Sequence, residues 1–98
     1  MSKNKRIECA DGFTMSVQAN SNAYCSPRSD NAASYDEVEV GFPNKPEPLL
    51  ERYAENPANL TETVYAWVPA QTVLNVIAKH GGIVSGQLPP GVAYLESI

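Results

Sequence analysis

The stretch at residues 7–17, IECADGFTMSV, constrains the fold most, because a turn signal separates two runs of alternating apolar and polar residues. A two-residue turn at Asp11-Gly12 would place apolar residues of the first run opposite polar residues of the second. A three-residue turn with Gly12 in the left-handed conformation pairs Cys9 with Phe13 and gathers the apolar side chains on one face. The sequence therefore predicts a β-hairpin in this second register, with one apolar face formed by Ile7, Cys9, Phe13, Met15 and Val17.

Two further segments predict strands beside the hairpin. Residues 35–42 alternate between apolar and mostly acidic side chains, so they predict a half-buried strand with an acidic outer face. Residues 63–68 combine β-branched and aromatic side chains and predict a central strand. Short extended stretches are expected at residues 83–84 and 92–95.

Two short helices complete the predicted elements. The first spans residues 48–55 and begins at Pro48, whose fixed φ suits the first position of a helix. The second begins at Pro69, carries an apolar stripe at helical spacing and ends at Gly81-Gly82.

Together these elements predict an α+β protein. Its antiparallel sheet of four to five strands opens with a β-hairpin, and the two short helices pack on that sheet. A chain of 98 residues suits a single domain over residues 1–98. Residues 1–5 predict a flexible basic N-terminus, and residues 20–34, which are small and polar, predict a long loop.

The charges are distributed unevenly along the chain. Residues 1–6 contain three bases and no acid, whereas residues 7–98 hold all 11 acids against four bases, a balance of −7. Such a body repels nucleic acid and favours a basic partner surface. No segment approaches the roughly 20 consecutive apolar residues that a membrane-spanning helix needs. We therefore expect neither direct nucleic-acid binding nor a membrane partner.

The sequence offers little for catalysis or coordination. His80, the only histidine, falls in the last turn of the second helix, where an imidazole interacts favourably with terminal carbonyls. A Cys25–His80 pair of nucleophile and base would lack an orienting third group, and Cys9 and Cys25 are expected to be reduced thiols. One histidine and two cysteines do not complete a tetrahedral metal shell. We therefore expect no enzyme activity, no catalytic residue, no metal and no cofactor.

Acidic side chains on two successive elements predict a partner-binding surface. Glu37 and Glu39 share the outer face of a strand, and Glu47, Glu51 and Glu55 recur every four residues as an outer ridge on the first helix. Rows of carboxylates can imitate a phosphate backbone and occupy a groove of Lys and Arg, although a merely solubilising surface has the same pattern. The candidate partner-binding residues are Asp36, Glu37, Glu39, Glu47, Glu51, Glu55 and Glu62.

Three stretches together resemble small proteins encoded by bacteriophages of Gram-negative hosts. They are IECADGFTMSVQAN with the following AYCSPR, DEVEVGFP, and TETVYAWVP followed by VIAKHGGIVSG, so the resemblance covers most of the chain. Acidic phage accessory proteins of about this length include inhibitors of bacterial defence, anti-CRISPR proteins among them, which bind the nucleic-acid channel of an effector complex or block its nuclease. The resemblance implies a non-enzymatic inhibitor in the host bacterial cytoplasm, with a basic host defence protein or ribonucleoprotein complex as its partner.

Other functions stay open at this point. A small-molecule or nucleotide-sequestering module would use Tyr24, Tyr65 and Trp67 as pocket walls, and a minor virion or assembly protein is a third reading. Strand edges that nothing covers could also pair two copies into a homodimer.

Overall fold

The structure is a computed structural model that describes residues 4–92, and within them five strands form one antiparallel sheet. One α-helix and one 3₁₀ turn accompany the sheet. The elements in chain order are β1 (Ile7–Cys9), β2 (Thr14–Gln18), β3 (Glu37–Gly41), the 3₁₀ turn (Glu51–Tyr53), β4 (Val64–Pro69), α1 (Ala70–Lys79) and β5 (Ile83–Ser85). The order across the sheet is β4-β3-β2-β1-β5, with every neighbouring pair antiparallel. The predicted α+β class is confirmed.

The opening hairpin adopts the predicted register. Ile7 lies opposite Met15, and the N–H of Cys9 donates to the carbonyl of Phe13 over 2.8 Å. Gly12 has a φ of +94°, the left-handed conformation that the three-residue turn requires. The apolar pattern therefore predicted correctly which face of both strands is buried.

The core lies between α1 and one face of the sheet. Val73, Val76 and Ile77 of α1 are buried, as their spacing predicts. They join apolar side chains from β1 to β4 in a single cluster, because alternate residues of β1 to β3 point to the same side and a β-bulge brings Tyr65 and Val68 of β4 to that side as well. The fully buried strand residues of this cluster are Ile7, Met15, Val17, Val38, Val40, Tyr65 and Val68.

The opposite face of the sheet, called the open face below, carries polar side chains and glycine. Helix α1 packs on the other side of the sheet, so within residues 4–92 no helix covers this face. Strand alternation assigns to it Ser16 and Gln18 of β2 and Glu37, Glu39 and Gly41 of β3.

The predicted helix at residues 48–55 is wrong, because this segment contains only the 3₁₀ turn. The carboxylate of Glu47 accepts the N–H of Leu49 over 2.8 Å, so a side chain satisfies the backbone where a helix would begin. After the turn, Ala54 is extended, with φ −66° and ψ +130°, and pairs with Tyr65 of β4. The chain leaves the helical conformation here because its backbone pairs with the edge of β4.

The predictions for the two ends of the chain and for the long loop have different outcomes. Of the stretch expected at residues 92–95, Val92 lies in a bend and the rest falls outside the described residues, as do residues 1–3. Asn4 and Lys5, expected in a flexible N-terminus, are hydrogen bonded to Gln18 and Gln87. Residues 20–34 contain no helix or strand apart from an isolated bridge.

Candidate functional site

The predicted acidic residues do not share one surface. Asp36 lies where β3 begins, and its carbonyl accepts the N–H of Ala70 over 2.9 Å. Glu55 and Glu62 lie near the other end of β3, where the N–H of Glu55 donates to the carbonyl of Val64 over 3.0 Å. Because a strand rises about 3.3 Å per residue, the two ends of β3 are about 13 Å apart. The carboxylates therefore fall into separate groups.

The predicted outer ridge is wrong at Glu47, whose side chain is only 1% exposed. Its periodicity with Glu51 and Glu55 presupposed a helix, and this segment is not helical. Glu47 turns inward because polar partners compensate its burial: Nε2 of His80 lies 2.6 Å from Oε1, and the ammonium Nζ of Lys79 donates over 3.0 Å. Glu51 and Glu55 are exposed, as predicted.

His80 joins three parts of the fold in a buried polar network. Its Nδ1 lies 2.6 Å from Oδ2 of Asp11 in the hairpin turn, and its Nε2 lies 2.6 Å from Glu47. Each ring nitrogen of His80 is thus paired with one carboxylate, one from the hairpin turn and one from the 43–50 segment. The ring also stacks on Phe13, with centroids 4.2 Å apart and planes 14° from parallel.

This network holds both carboxylates in the ionised form. The pKa of Asp11 is lowered by hydrogen bonds from the N–H of Phe13 and from His80. Burial acts to raise the pKa of Glu47, but hydrogen bonds from Leu49, His80 and Lys79 outweigh it and lower that pKa. The network is therefore an electrostatic clamp between the hairpin, the 43–50 segment and the end of α1.

The clamp has no arrangement for nucleophilic catalysis. Both ring nitrogens of His80 already bind carboxylates, whereas the thiol of Cys25 donates to the carbonyl of Asn20 over 3.2 Å. Asn20 follows β2 and Asp11 precedes it, so Cys25 and His80 lie at opposite ends of that strand. Within residues 4–92, no group of three or more His, Cys, Asp or Glu residues is arranged to hold a metal ion.

Cys9 is also unsuited to reaction. Burial, followed by the nearby charge of Asp11, raises the pKa of its thiol. A protonated, buried thiol is a poor nucleophile. Both cysteines are free, as expected.

Two aromatic residues beside the open face have unusual backbone conformations. Phe42 and Trp67 have φ values of +50° and +49°, and their side chains are 49% and 47% exposed. Trp67 lies at a β-bulge where two residues of β4 oppose Glu39 alone. Left-handed backbone costs a bulky residue about 1–2 kcal/mol, so each ring is held in the solvent at an energetic cost.

Beside Phe42, the open face contains a groove of about 270 Å³. Strands β2 and β3 supply its floor, and the segment after β2 supplies one wall. We call this the sheet groove; its lining includes Ser16, Gln18, Asn20, Asn22, Glu39 and Phe42. Several acceptors and one ring thus border a space suited to a single side chain.

The predicted aromatic pocket is only half formed. Tyr24 and Trp67 are neighbours, with ring centroids 5.2 Å apart, and the guanidinium of Arg28 lies 5.6 Å from the Tyr24 centroid. Tyr65 is fully buried in the core, and its hydroxyl donates to the carbonyl of Leu60. Tyr65 is therefore not a pocket wall, because the β-bulge interrupts the alternation of β4 and places Tyr65 and Trp67, two residues apart, on opposite faces.

Sequence reasoning missed both the clamp and the sheet groove. Residues 11, 47 and 80 are far apart in sequence, and no spacing rule connects them. The only local signals were the Asp-Gly turn and the position of His80 at the helix end.

The fold and its groove define a small α+β protein with one polar, partly aromatic sheet face. Comparisons with protein-family models, with curated proteins and with solved structures find no match to this chain. In the part of the chain that the structure describes, no helix has the length and apolar character needed to cross a membrane.

Proposed function

We propose that this chain is a non-enzymatic inhibitor of a bacterial defence system, of the anti-CRISPR type, that binds a basic surface of a host effector complex through its open face. Binding would block the nucleic-acid channel or the nuclease site of that complex. The likeness to phage proteins supports the biological setting in the host cytoplasm, and the open face supports the binding mode.

One observation carries the binding mode: Glu39 lines a groove with Phe42 and lies opposite the β-bulge of Trp67, and both of these half-exposed aromatic residues have a left-handed backbone. Such strain, of order 1–3 kcal/mol per residue, tends to occur where function requires it. Exposed aromatic side chains are also typical anchors of protein interfaces. A face that keeps Phe42 and Trp67 in solvent suits a partner that covers them.

Charge defines the partner's chemistry. Residues 7–98 carry a balance of −7, and Glu37 and Glu39 both lie on the open face. A basic partner surface is attracted to this field, whereas the phosphate backbone of a free nucleic acid is repelled. The exposed residues Asp36, Glu51, Glu55 and Glu62 extend that field around the molecule.

The test is protection of a restricted phage. The chain is expressed in isogenic bacterial strains that carry or lack individual CRISPR–Cas systems, and phage plating efficiency is measured. We expect plating to recover in one defended strain, with no effect in the strain that lacks the effector complex.

The variant Glu39→Lys should abolish this recovery, since it reverses the charge of the groove beside Phe42. Glu51→Lys is the matched control, because it changes the net charge equally but lies in the 3₁₀ turn. Full protection by the Glu39 variant, or equal loss in both variants, would contradict the proposed face.

A further inference from the structure

The polar groups of the sheet groove are fixed in place before any partner arrives. Oε1 of Glu39 accepts the N–H of Tyr24 over 3.0 Å, which orients the carboxylate. The amide of Gln18 is bonded to Asn4 and Ser16, with contacts of 2.9 Å. Within residues 4–92, Oε2 of Glu39 has no hydrogen-bond partner, so one charged acceptor remains available to a ligand.

The chemistry of the groove favours a cation with several donors. Glu39 supplies a negative charge, Asn20 and Asn22 add amide oxygens, and the exposed ring of Phe42 presents an aromatic surface. A guanidinium offers five N–H donors, no acceptor and a flat face that stacks on aromatic rings. This face already has one such contact, because Arg28 lies over Tyr24.

The size of the groove limits its occupant. About 270 Å³ is just below the range of roughly 300–1,000 Å³ in which small-molecule and cofactor pockets fall. A nucleotide would therefore project from it, and would bring phosphates next to Glu39. A single long side chain from a protein partner fits both the volume and the charge.

Arg6 is a fixed cation beside Phe42, which lines the groove. Its guanidinium donates to the hydroxyl of Thr14 and to the carbonyl of Phe42. Because Arg6 is bonded there and not to Glu39, it leaves the carboxylate available.

We propose that the sheet groove is a receptor for one arginine side chain of the partner, with Glu39 binding the guanidinium and Phe42 flanking it. This inference rests on the proposed function and adds to it the identity of the partner residue. The wall asparagines accept the remaining guanidinium protons, Asn20 with the second lone pair of its Oδ1, since the first accepts the N–H of Asn22 over 2.7 Å.

The test uses a small probe and no partner. The ¹⁵N-labelled protein is titrated with N-acetyl-arginine amide and followed by two-dimensional NMR. The neutral isostere N-acetyl-citrulline amide and the compact cation N-acetyl-lysine amide are titrated in parallel. We expect saturable shifts at Ser16, Gln18, Glu39 and Phe42 with the arginine probe, and at least about tenfold weaker binding of the other two.

Glu39→Gln should weaken the arginine probe about tenfold, equivalent to about 1.4 kcal/mol, because the amide oxygen can still accept from Tyr24 while the charge is lost. Glu37→Gln on the same strand face is the matched control and should bind as the parent does. The same spectra report whether each variant is folded. Equal binding of citrulline, or shifts scattered away from the groove, would overturn the proposal.

The outcomes separate the two proposals. If the arginine probe binds the groove but the parent chain protects phage in no defended strain, the receptor stands and the proposed function fails. If Glu39→Lys loses protection while the probe does not bind, the open face stands and the arginine assignment fails.

Discussion

At the scale of single residues, the clearest feature is an imidazole held between two carboxylates. Asp11 is exposed, whereas Glu47 is buried and depends on His80 and Lys79 for compensation. Removal of one partner from a buried ion pair costs more than the pair contributes, because the other charge is left without compensation. Glu47 is therefore a structural residue and not part of a binding surface.

The clamp predicts a pH dependence of stability. The folded-state pKa values of Asp11 and Glu47 lie below their ordinary values of 3.8 and 4.5. Their stabilisation is therefore present above those ordinary values and is lost as the pH falls through the lower folded values. The free energy of unfolding, measured by urea denaturation from about pH 6 to about pH 3, should fall in the acid part of this range.

The variant Glu47→Gln isolates the contribution of that residue. It should be less stable than the parent near neutral pH, and its stability should decline less steeply in acid. Parallel pH profiles for the parent and the variant would show that Glu47 does not have a lowered pKa.

The backbone conformation of Phe42 gives a second prediction: at this position a glycine variant should be more stable than an alanine variant, which reverses the usual order. In an ordinary strand, glycine is less stable than alanine by about 0.5–1 kcal/mol. At a φ of +50°, alanine keeps the strain and glycine removes it. Phe42→Gly should therefore be more stable than Phe42→Ala by about 1 kcal/mol in urea denaturation.

Val84 is the matched control, because it is an exposed strand residue that is not among the residues with positive φ. There the alanine variant should be the more stable of the pair. Both Phe42 variants should also lose phage protection, since neither has the ring. If the alanine variant were more stable than the glycine variant at both positions, strain at Phe42 would be contradicted.

At the scale of elements, the hairpin and α1 form as local patterns predict, whereas the 43–62 segment does not. Alternation and helical spacing each describe one element that buries one face. The 43–62 segment instead follows contacts with its surroundings: Glu47 meets α1, and Ala54 joins the edge of β4. Those partners lie elsewhere in the chain, so local propensity could not indicate them.

The junction between β5 and the N-terminal segment gives an element-scale prediction. A Cβ atom added at Gly86 would lie 2.1 Å from the carbonyl oxygen of Arg6, and Gly86 also has a φ of +89°. Gly86→Ala should therefore destabilise the protein by about 3 kcal/mol, measured by thermal or urea unfolding.

Gly41→Ala is the control for this substitution. A Cβ atom there would meet Ser16 at 3.7 Å and Val64 at 3.9 Å, which are ordinary contacts, and its φ is not positive. A loss below about 1 kcal/mol is expected. If the free energy of unfolding fell by the same amount in both variants, the close approach of Gly86 to β1 would be contradicted.

At the scale of the whole molecule, the charge of the body determines which partners it attracts. Carboxylates at both ends of β3 and on the open face produce a negative field, although they form no single ridge. Such a field extends over about 10 Å at 0.1 M salt and about 3 Å at 1 M salt. Association should therefore depend on ionic strength.

A fluorescent oligo-arginine peptide and a DNA duplex of similar length test this prediction. Fluorescence anisotropy should show that the peptide binds at low salt and is released as salt approaches molar concentration, whereas the DNA does not bind. Glu39→Lys should weaken the peptide more than Glu51→Lys does. DNA binding at low salt would contradict the expectation drawn from charge.

The sequence by itself determined the hairpin register, the α1 helix, the α+β class and the acidic character of the body, because these follow from local alternation, helical spacing and composition. Only the tertiary structure decided that Glu47 is buried against His80, that Tyr65 belongs to the core, and that Glu39 lies in a groove lined by the strained Phe42. The physical reason is that burial and electrostatic compensation depend on groups distant in sequence, which only the folded chain brings within reach.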